Sequence, residues 1–367
     1  MEVFMKKNST VLFASAIPER MDEDCTLPAR FKRLLAKLPV VGRIAGKTVA
    51  IKMHVGGNVG YSTIHPLFVR LLVDHLKTGT PKKIFITDGD IKSAAHRGYA
   101  LQTVGAELRS ACGDDWKSVR RVATGWPTLD HVLVGNEILN ADVLINFSHV
   151  KGHGDCGFGG ACKNLAMGCI PPKTRQTLHL LEGDLKWDSA KCTKCKKCIE
   201  VCQMKANSFD EKGEYQIFWH DCKMCQHCAM ACPTKAISIH GQNFALFQEG
   251  LARVAKLVID NFESGNVFHI NVLIHITPYC DCWGLTTPAM VPDIGIMASE
   301  DIVAVEQASL DSIKADNLIP GSIPPPLELG KGKHLFEKLH ARDPYLQVRS
   351  LEKLGAGNSE YFREEVL

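Results

Sequence analysis

The chain has 367 residues, 45% apolar and 23% charged, with a formal net charge of +3. Those proportions exclude a disordered or fibrous chain and allow one large folded domain or two ordinary ones. The charge is too small to argue for a nucleic-acid or membrane-surface partner, and no stretch approaches the ~20 apolar residues of a membrane span. The apolar run at 11–17 halts at Pro18 and is too short for a signal peptide, so it reads as a buried or edge strand of a cytoplasmic protein.

In chain order, residues 48–54 read as a strand followed by a glycine-rich loop at 55–60. A helix at 65–77 carries Phe68, Leu72 and Leu76 on one stripe, with Val69 and Val73 beside it. A second strand at 83–87 ends in Asp88-Gly89-Asp90, and a third at 142–147 runs into a glycine-rich loop and a helix. Phe244, Phe247, Leu251, Val254, Val258 and Phe262 form a helical stripe, before a strand at 267–276 and a helix at 299–313. Strand–helix alternation of this kind predicts an α/β fold with a mainly parallel sheet, whose sites lie beyond the carboxyl ends of the strands. Residues 320–326, rich in proline, read as a linker to a polar, partly helical tail.

Eight of the fifteen cysteines fall between Cys192 and Cys232, in two CxxCxxCxxxC runs. Such crowding in a reducing compartment points to metal rather than to disulfides. Three cysteines spaced by two residues wrap one face of an iron–sulfide cube, and the fourth begins a helical turn that reaches the other cube. The expected ligand sets for two [4Fe-4S] clusters are Cys192, Cys195, Cys198 and Cys232 for one, and Cys222, Cys225, Cys228 and Cys202 for the other. Zinc is the competing reading, but it gives no reason for the duplication or for the crossed fourth ligand. Residues 215–219 and 236–239 read as short strands, with a turn at Lys212-Gly213. This layout resembles a bacterial two-cluster ferredoxin over about 190–240. From Lys191 to His240 eight lysines face five carboxylates, a basic rim that suits an acidic ferredoxin or an anionic substrate and equally suits plain solubility.

Three loops carry candidate chemistry. His54 precedes Gly56 and Gly57 in a loop whose amides could cradle an anion, and Lys52 stands just before it. Residues 148–164 hold Lys151, His153, Gly159, Gly160 and Lys163, where glycines admit a ligand and His153 and Lys163 supply charge or protons. Tight turns with a solvated lysine are the plain alternative. Residues 277–284 contain Cys280 and Cys282, which could hold a third metal with Cys169 as companion or be buried thiols at a strand end. Cys25 and Cys112 have no motif around them and read as structural.

Ile51-Lys52-Met53-His54, Asp88-Gly89-Asp90, Lys151-Gly152-His153-Gly154, the glycine run to Asn164, Asp281-Cys282-Trp283-Gly284 and Val291-Pro292-Asp293 together resemble the Fe–S center proteins built on domain of unknown function 362. That resemblance covers nearly the whole chain and implies the architecture without a settled reaction; Cys156 and Cys162 depart from its pattern. The loop Gly159-Gly160-Ala161-Cys162-Lys163 is also similar to the lactate racemase family in its paired glycines and lysine, and no cofactor is carried over from that likeness. The expected organisation is an α/β domain at 1–189 and 241–325, an α+β ferredoxin-like insert at 190–240, and a tail at 326–367. The expected function is an iron–sulfur oxidoreductase. Electrons would pass from an acidic ferredoxin through two clusters to an unidentified substrate, cofactor or metal, with His54, His153 and Lys163 as catalytic residues. Lys52, Gly56, Gly57, Lys151, Gly159 and Gly160 are the expected binding residues. The alternative is an electron-relay or cofactor- or metal-handling subunit without catalysis of its own.

Overall fold

The computed structural model describes residues 9–56, 60–202, 205–217, 227–240, 243–283, 286–325 and 327–367. The first strands are β1 (Ser9–Ser15), β2 (Thr48–Lys52), β3 (Lys83–Asp88), β4 (Glu107–Ser110), β5 (Val119–Trp126), β6 (Leu129–Gly135), β7 (Val143–His149), β8 (Lys151–His153) and β9 (Gly157–Gly159). They are followed by β10 (Asp184–Trp187), β11 (Asn207–Phe209), β12 (Tyr215–Ile217), β13 (Ile237–His240), β14 (Val267–Leu273), β15 (Gly295–Ser299) and β16 (Tyr361–Glu365). The helices are α1 (Leu27–Lys37), α2 (Pro66–Lys77), α3 (Leu101–Val104), α4 (Asn136–Leu139), α5 (Ala161–Gly168) and α6 (Pro172–His179). After them come α7 (Lys197–Glu200), α8 (His227–Met230), α9 (Phe244–Ile259), α10 (Ile302–Ser312), α11 (Leu335–His340) and α12 (Tyr345–Lys353). Among the described residues, no helix is long and apolar enough to cross a membrane.

Eight strands form one sheet in the order β16-β1-β15-β14-β7-β2-β3-β4. From β14 to β4 every pair is parallel, and β15 runs antiparallel to both β14 and β1. The fold is therefore α/β with a mostly parallel sheet, as the alternating pattern predicts. All seven residues of β7 are buried, as expected of a central strand covered on both faces. Alternation along the strands feeds two cores. Val11, Phe13, Ala50 and Leu144 pack with α5, α9, α10 and α12 on one face, while Leu12, Ala14, Val49, Ile51, Val143 and Ile145 pack with α1 and α2 on the other.

Local chemistry sets the helix starts. His65 Nδ1 accepts the Leu67 N–H at 3.1 Å, Pro66 opens α2, and the Phe68, Leu72, Leu76 stripe is buried. Asp301 Oδ1 accepts from Val303 and Ala304 at 2.8 and 3.1 Å and opens α10.

Two findings lie outside the sequence reading. Residues 101–135 contribute the edge strand β4 and a hairpin, β5–β6. The segment after the proline-rich linker also does more than trail away. Val348 and Leu351 of α12 are fully buried in the main core, and β16 pairs with β1 in parallel at the sheet edge.

Glu306, on α10, is fully buried and accepts the Ala161 and Cys162 N–H groups at 2.6 and 3.3 Å, which caps α5. Burial pushes its carboxyl up from 4.5 to about 7, against the bonds from Asn271 and the α5 amides. The folded state thus keeps a proton that the unfolded chain releases at lower pH. This contribution is fully present below pH ~4.5 and is lost as pH rises through ~7, up to about 3 kcal/mol. Glu306→Gln is expected to flatten the fall in urea midpoint between pH 4.5 and 7.5; an unchanged slope would show that other groups set it.

Candidate functional site

The carboxyl ends of β2, β3, β7 and β14 carry a cluster of charges with almost no access to water. Lys52, at the end of β2, is fully buried with Nζ 3.1 Å from Asp88 Oδ1 and 2.6 Å from Asn164 Oδ1. His54 Nδ1 lies 2.8 Å from Asp88 Oδ2, which also accepts the Val55 N–H at 3.2 Å. Burial pushes the Asp88 carboxyl up, but Lys52 and His54 outweigh it and hold it well below the carboxylate range. His54 Nε2 is buried and has no hydrogen-bond partner among the described residues.

Asp281 repeats this arrangement on the neighbouring strands. His149 Nδ1 lies 2.8 Å from its Oδ2, Lys151 Nζ 3.3 Å from the same oxygen, and Ser62 Oγ donates to Oδ1 at 2.9 Å. Burial raises the Asp281 pKa, while His149 and Lys151 lower it further, leaving it well below the ordinary value. Each carboxylate thus has one lysine and one histidine two residues apart, Lys52 with His54 and His149 with Lys151.

A polar seam docks α5 on the sheet beside these groups. Asn164 Nδ2 donates to the Lys52 carbonyl at 2.9 Å and to Asn146 Oδ1 at 2.8 Å, and Asn146 Nδ2 donates to the Ala161 carbonyl at 3.0 Å. Lys163, on the first turn of α5, is partly buried and donates to Cys280 Sγ at 3.3 Å. The hydrogen bond from Cys282, against burial and helped by Lys163 and Lys151, holds the Cys280 thiol well below its usual pKa. Burial works against the Lys163 charge, but Cys280, Cys282 and Cys156 raise its pKa overall.

His153 completes a group with these two cysteines: one ligand atom from each of His153, Cys280 and Cys282 lies within 4.8 Å of the others. Cys169 is not among them. It ends α5, where its carbonyl takes the Gly135 N–H at 2.8 Å and faces Cys112 Sγ at 3.9 Å. The chain reaches this geometry through a backbone contact, Gly152 N–H to the Thr277 carbonyl at 2.8 Å. A Cβ at Gly152 would overlap the Pro278 carbonyl oxygen. Burial and the Lys163 charge pull the His153 pKa well below its usual value.

A second group, Asp155 between β8 and β9, His179 at the end of α6 and Glu182 just after it, is buried and also falls within 4.8 Å. His179 Nδ1 lies 2.6 Å from Glu182 Oε1, while Glu182 Oε2 has no partner among the described residues. Burial pushes both carboxyls well up and pulls His179 down to about 4. The sequence reading did not single out this group: His179 and Glu182 are an i,i+3 pair, but Asp155 is far from them in the chain.

The glycines expected to bind a ligand have different surroundings. Gly56 has φ +85°, and the Arg97 guanidinium lies against it and against Gly60. Gly57 lies outside the described residues. A Cβ at Gly159 would lie 3.3 Å from Lys163 and 3.6 Å from Lys151, whereas one at Gly160 would overlap Glu306.

The cysteine-rich segment has its own small core of Leu185, Cys198, Tyr215, Cys228 and Ile237. Strand β10 ahead of it pairs antiparallel with β13, which closes it, so chain entry and exit lie side by side. Cys192, Cys195, Cys198 and Cys232 line one cavity of about 310 Å³, its open mouth included, with Trp187, Phe209 and Tyr215 among its walls. Four sulfur donors, with no carboxylate or imidazole lining the cavity among the described residues, suit an iron–sulfide cube. The loop winds through lysines in left-handed backbone, Lys194 at φ +55° and Lys196 at φ +61°. The last cysteine of each run has the same environment: Cys202 Sγ accepts the Ala206 N–H and Cys232 Sγ the Ala236 N–H, both at 3.2 Å. Burial raises the Cys232 pKa, but the amides of Ile237 and Ala236 and the Thr234 hydroxyl lower it overall. Cys202 is near enough to add to the upward shift that burial imposes on Cys228. Cys222 and Cys225 lie outside the described residues.

Two substitutions test the body of the site. Lys52→Met leaves Asp88 buried beside His54 alone and is expected to cost about 3–5 kcal/mol. Gly152→Ala forces the Thr277–Pro278 backbone away and is expected to cost about 1–3 kcal/mol. Urea midpoints within 0.5 kcal/mol of the parent, a surface-like effect, would contradict both assignments.

Comparison with known proteins adds three likenesses. Over 51 residues the chain is 39% identical to pyruvate synthase subunit PorD of Methanocaldococcus jannaschii, covering 14% of this chain and 59% of that one. Over 59 residues it is 34% identical to the archaeal-type glutamate synthase (NADPH) of Thermotoga maritima, 16% of this chain and 11% of the other. The chain therefore spans less than two thirds of either relative. The lactate racemase apoprotein of Thermoanaerobacterium thermosaccharolyticum superposes at a TM-score of 0.35 with 12% identity, over 72% of this chain and 51% of the other. Residues 49–311, including the strands and loops that hold both carboxylate clusters, match the family described as Domain of unknown function (DUF362). The chain belongs to that family.

Proposed function

We propose that the protein is an iron–sulfur oxidoreductase in which residues 190–240 act as an inserted two-cluster domain and the α/β body holds the substrate. The observation that carries this reading is the convergence of Cys192, Cys195, Cys198 and Cys232 on one cavity, three from one loop and the fourth from the end of the second run. Cys202, Cys222, Cys225 and Cys228 are the second ligand set. Two [4Fe-4S] clusters would supply single electrons, over a range of potentials of about −700 to +450 mV for their class. Amides donate to the sulfurs of Cys192, Cys202 and Cys232, the kind of hydrogen bond that sets the potential of a cluster.

Within the body, His54 is the proton-handling residue. Its Nδ1 is held by Asp88, so Nε2 is left to take or give a proton at the substrate. Lys163 offers a cation to an anionic or carbonyl group, and His153 stands beside it as a neutral imidazole. Lys52 and Lys151 act through Asp88 and Asp281, which fix the facing histidines. Exposed lysines at 191, 194, 196 and 197 present a basic rim to an acidic ferredoxin as electron donor.

Protein purified without air is expected to contain about eight irons per chain. Cys232→Ser should lose about half of them; zinc in place of iron would end this reading. Reduced protein should then be reoxidised by a small-molecule fraction, followed by visible absorbance. His54→Gln, with its iron intact, should slow that step by about 10²–10⁴-fold. Reoxidation by a partner protein alone, unaffected by His54, would favour the relay-subunit reading, which the likeness to a synthase subunit supports.

A further inference from the structure

We propose that His153, Cys280 and Cys282 form a site for one thiophilic divalent metal ion of the zinc class, with a position left for a substrate oxygen or sulfur. The site is separate from the cysteine-rich segment and does not depend on the iron–sulfur assignment.

Three observations support it. The ligand atoms of these residues all lie within 4.8 Å of one another, close enough for one ion to touch all three. Two thiolates and an imidazole are the donor types that zinc and related ions take. His153 and Cys280 are each only 2% exposed, so the donors meet in a place sheltered from water.

The convergence is built rather than incidental. His153 ends β8, just after the central strand β7, and the two cysteines follow β14, the strand next to β7 in the sheet. The loops that carry them are joined by the Gly152 N–H to Thr277 carbonyl bond at 2.8 Å, and only a residue without a side chain lets them come so close. His340 Nε2 lies 2.7 Å from the Pro278 carbonyl and holds the cysteine loop from its other flank.

The neighbours fit the same role. His153 Nδ1 accepts the Asp155 N–H at 3.1 Å, which holds the ring in place beside the two cysteines. The charges also balance: two thiolates carry −2, a divalent ion cancels them, and Lys163 at 3.3 Å from Cys280 leaves one positive charge. That residual charge selects an anionic or strongly polar substrate group for the remaining coordination position. Three protein ligands among the described residues, one fewer than a closed structural zinc site takes, match the pattern of a catalytic site.

The test uses the full chain, purified without air, dialysed against Zn²⁺ and read by metal analysis and zinc-edge X-ray absorption. One added zinc per chain is expected, with two sulfurs at about 2.3 Å and nitrogen at about 2.0–2.1 Å. Replacing both cysteines, Cys280→Ser and Cys282→Ser, should weaken zinc binding by more than the about 10–100-fold that losing a supporting hydrogen bond costs a metal site. Iron content and visible absorbance should stay unchanged. His153→Gln should keep both sulfurs and lose the nitrogen, a readout that needs no loss of binding. Equal zinc affinity in the double variant, or a zinc shell without sulfur, overturns the proposal. Added zinc in four-sulfur surroundings with a matching loss of iron also overturns it, since that ion would sit in the cysteine-rich segment. Four-sulfur zinc present before dialysis counts instead against the clusters, and the trio is then judged from the added equivalent alone.

Discussion

Two buried carboxylates, Asp88 and Asp281, hold the functional end of this sheet together. Neither could stay ionised there without its lysine and histidine, since a lone buried charge costs several kcal/mol. Because the compensating groups lie two residues apart on one strand or its extension, they point to the same face, and one carboxylate reaches both. The result is a rigid charged floor at the carboxyl ends of β2 and β7. The sulfur-bearing loop after β14 is drawn to that floor by Asp281 itself, which lies between Cys280 and Cys282. The same carboxylate therefore anchors the loop and orients His149.

Above the floor the residues differ in chemical character. His54 has one nitrogen engaged and one without a partner among the described residues. Lys163 is tied to a thiol. His153 is neutral, and Asp155 and Glu182 behind it resist ionisation because burial has no full compensation there. Such a gradient from compensated to uncompensated buried groups marks where a ligand or ion would gain most by binding, because the protein has already removed these groups from water.

Much of the body was legible because strand and helix periodicities alternate cleanly. The stripe of α2, the buried strand β7 and the stripe of α9 each appear in the sequence as they do in the fold. The edge strand β16 was not legible. Tyr361–Glu365 is polar and half exposed, and only its parallel pairing with β1 makes it a strand. In the site, Lys52, His54, Lys151, His153 and Lys163 could be found because glycines and polar groups crowd just after strands. Their partners Asp88 and Asp281 appeared only as motif residues, and the Asp155–His179–Glu182 group gave no signal, since its members meet only when α6 folds back. Cys280 and Cys282 were visible as a pair. The sequence offers Cys169 as their companion beside the plain reading of buried thiols, whereas the approach permitted by Gly152 brings His153 to the pair.

The pairing of β10 with β13 sets the two ends of the cysteine-rich segment at adjacent points on the body. For the rest of the chain, those fifty-odd residues are equivalent to a long surface loop, and lengthening such a loop adds little to the entropy of closing it. The large sheet can therefore assemble whether or not the inserted segment has taken up its ligand. On the reading proposed above, metal shortage would leave a finished scaffold, and later supply could be met by repair instead of new synthesis.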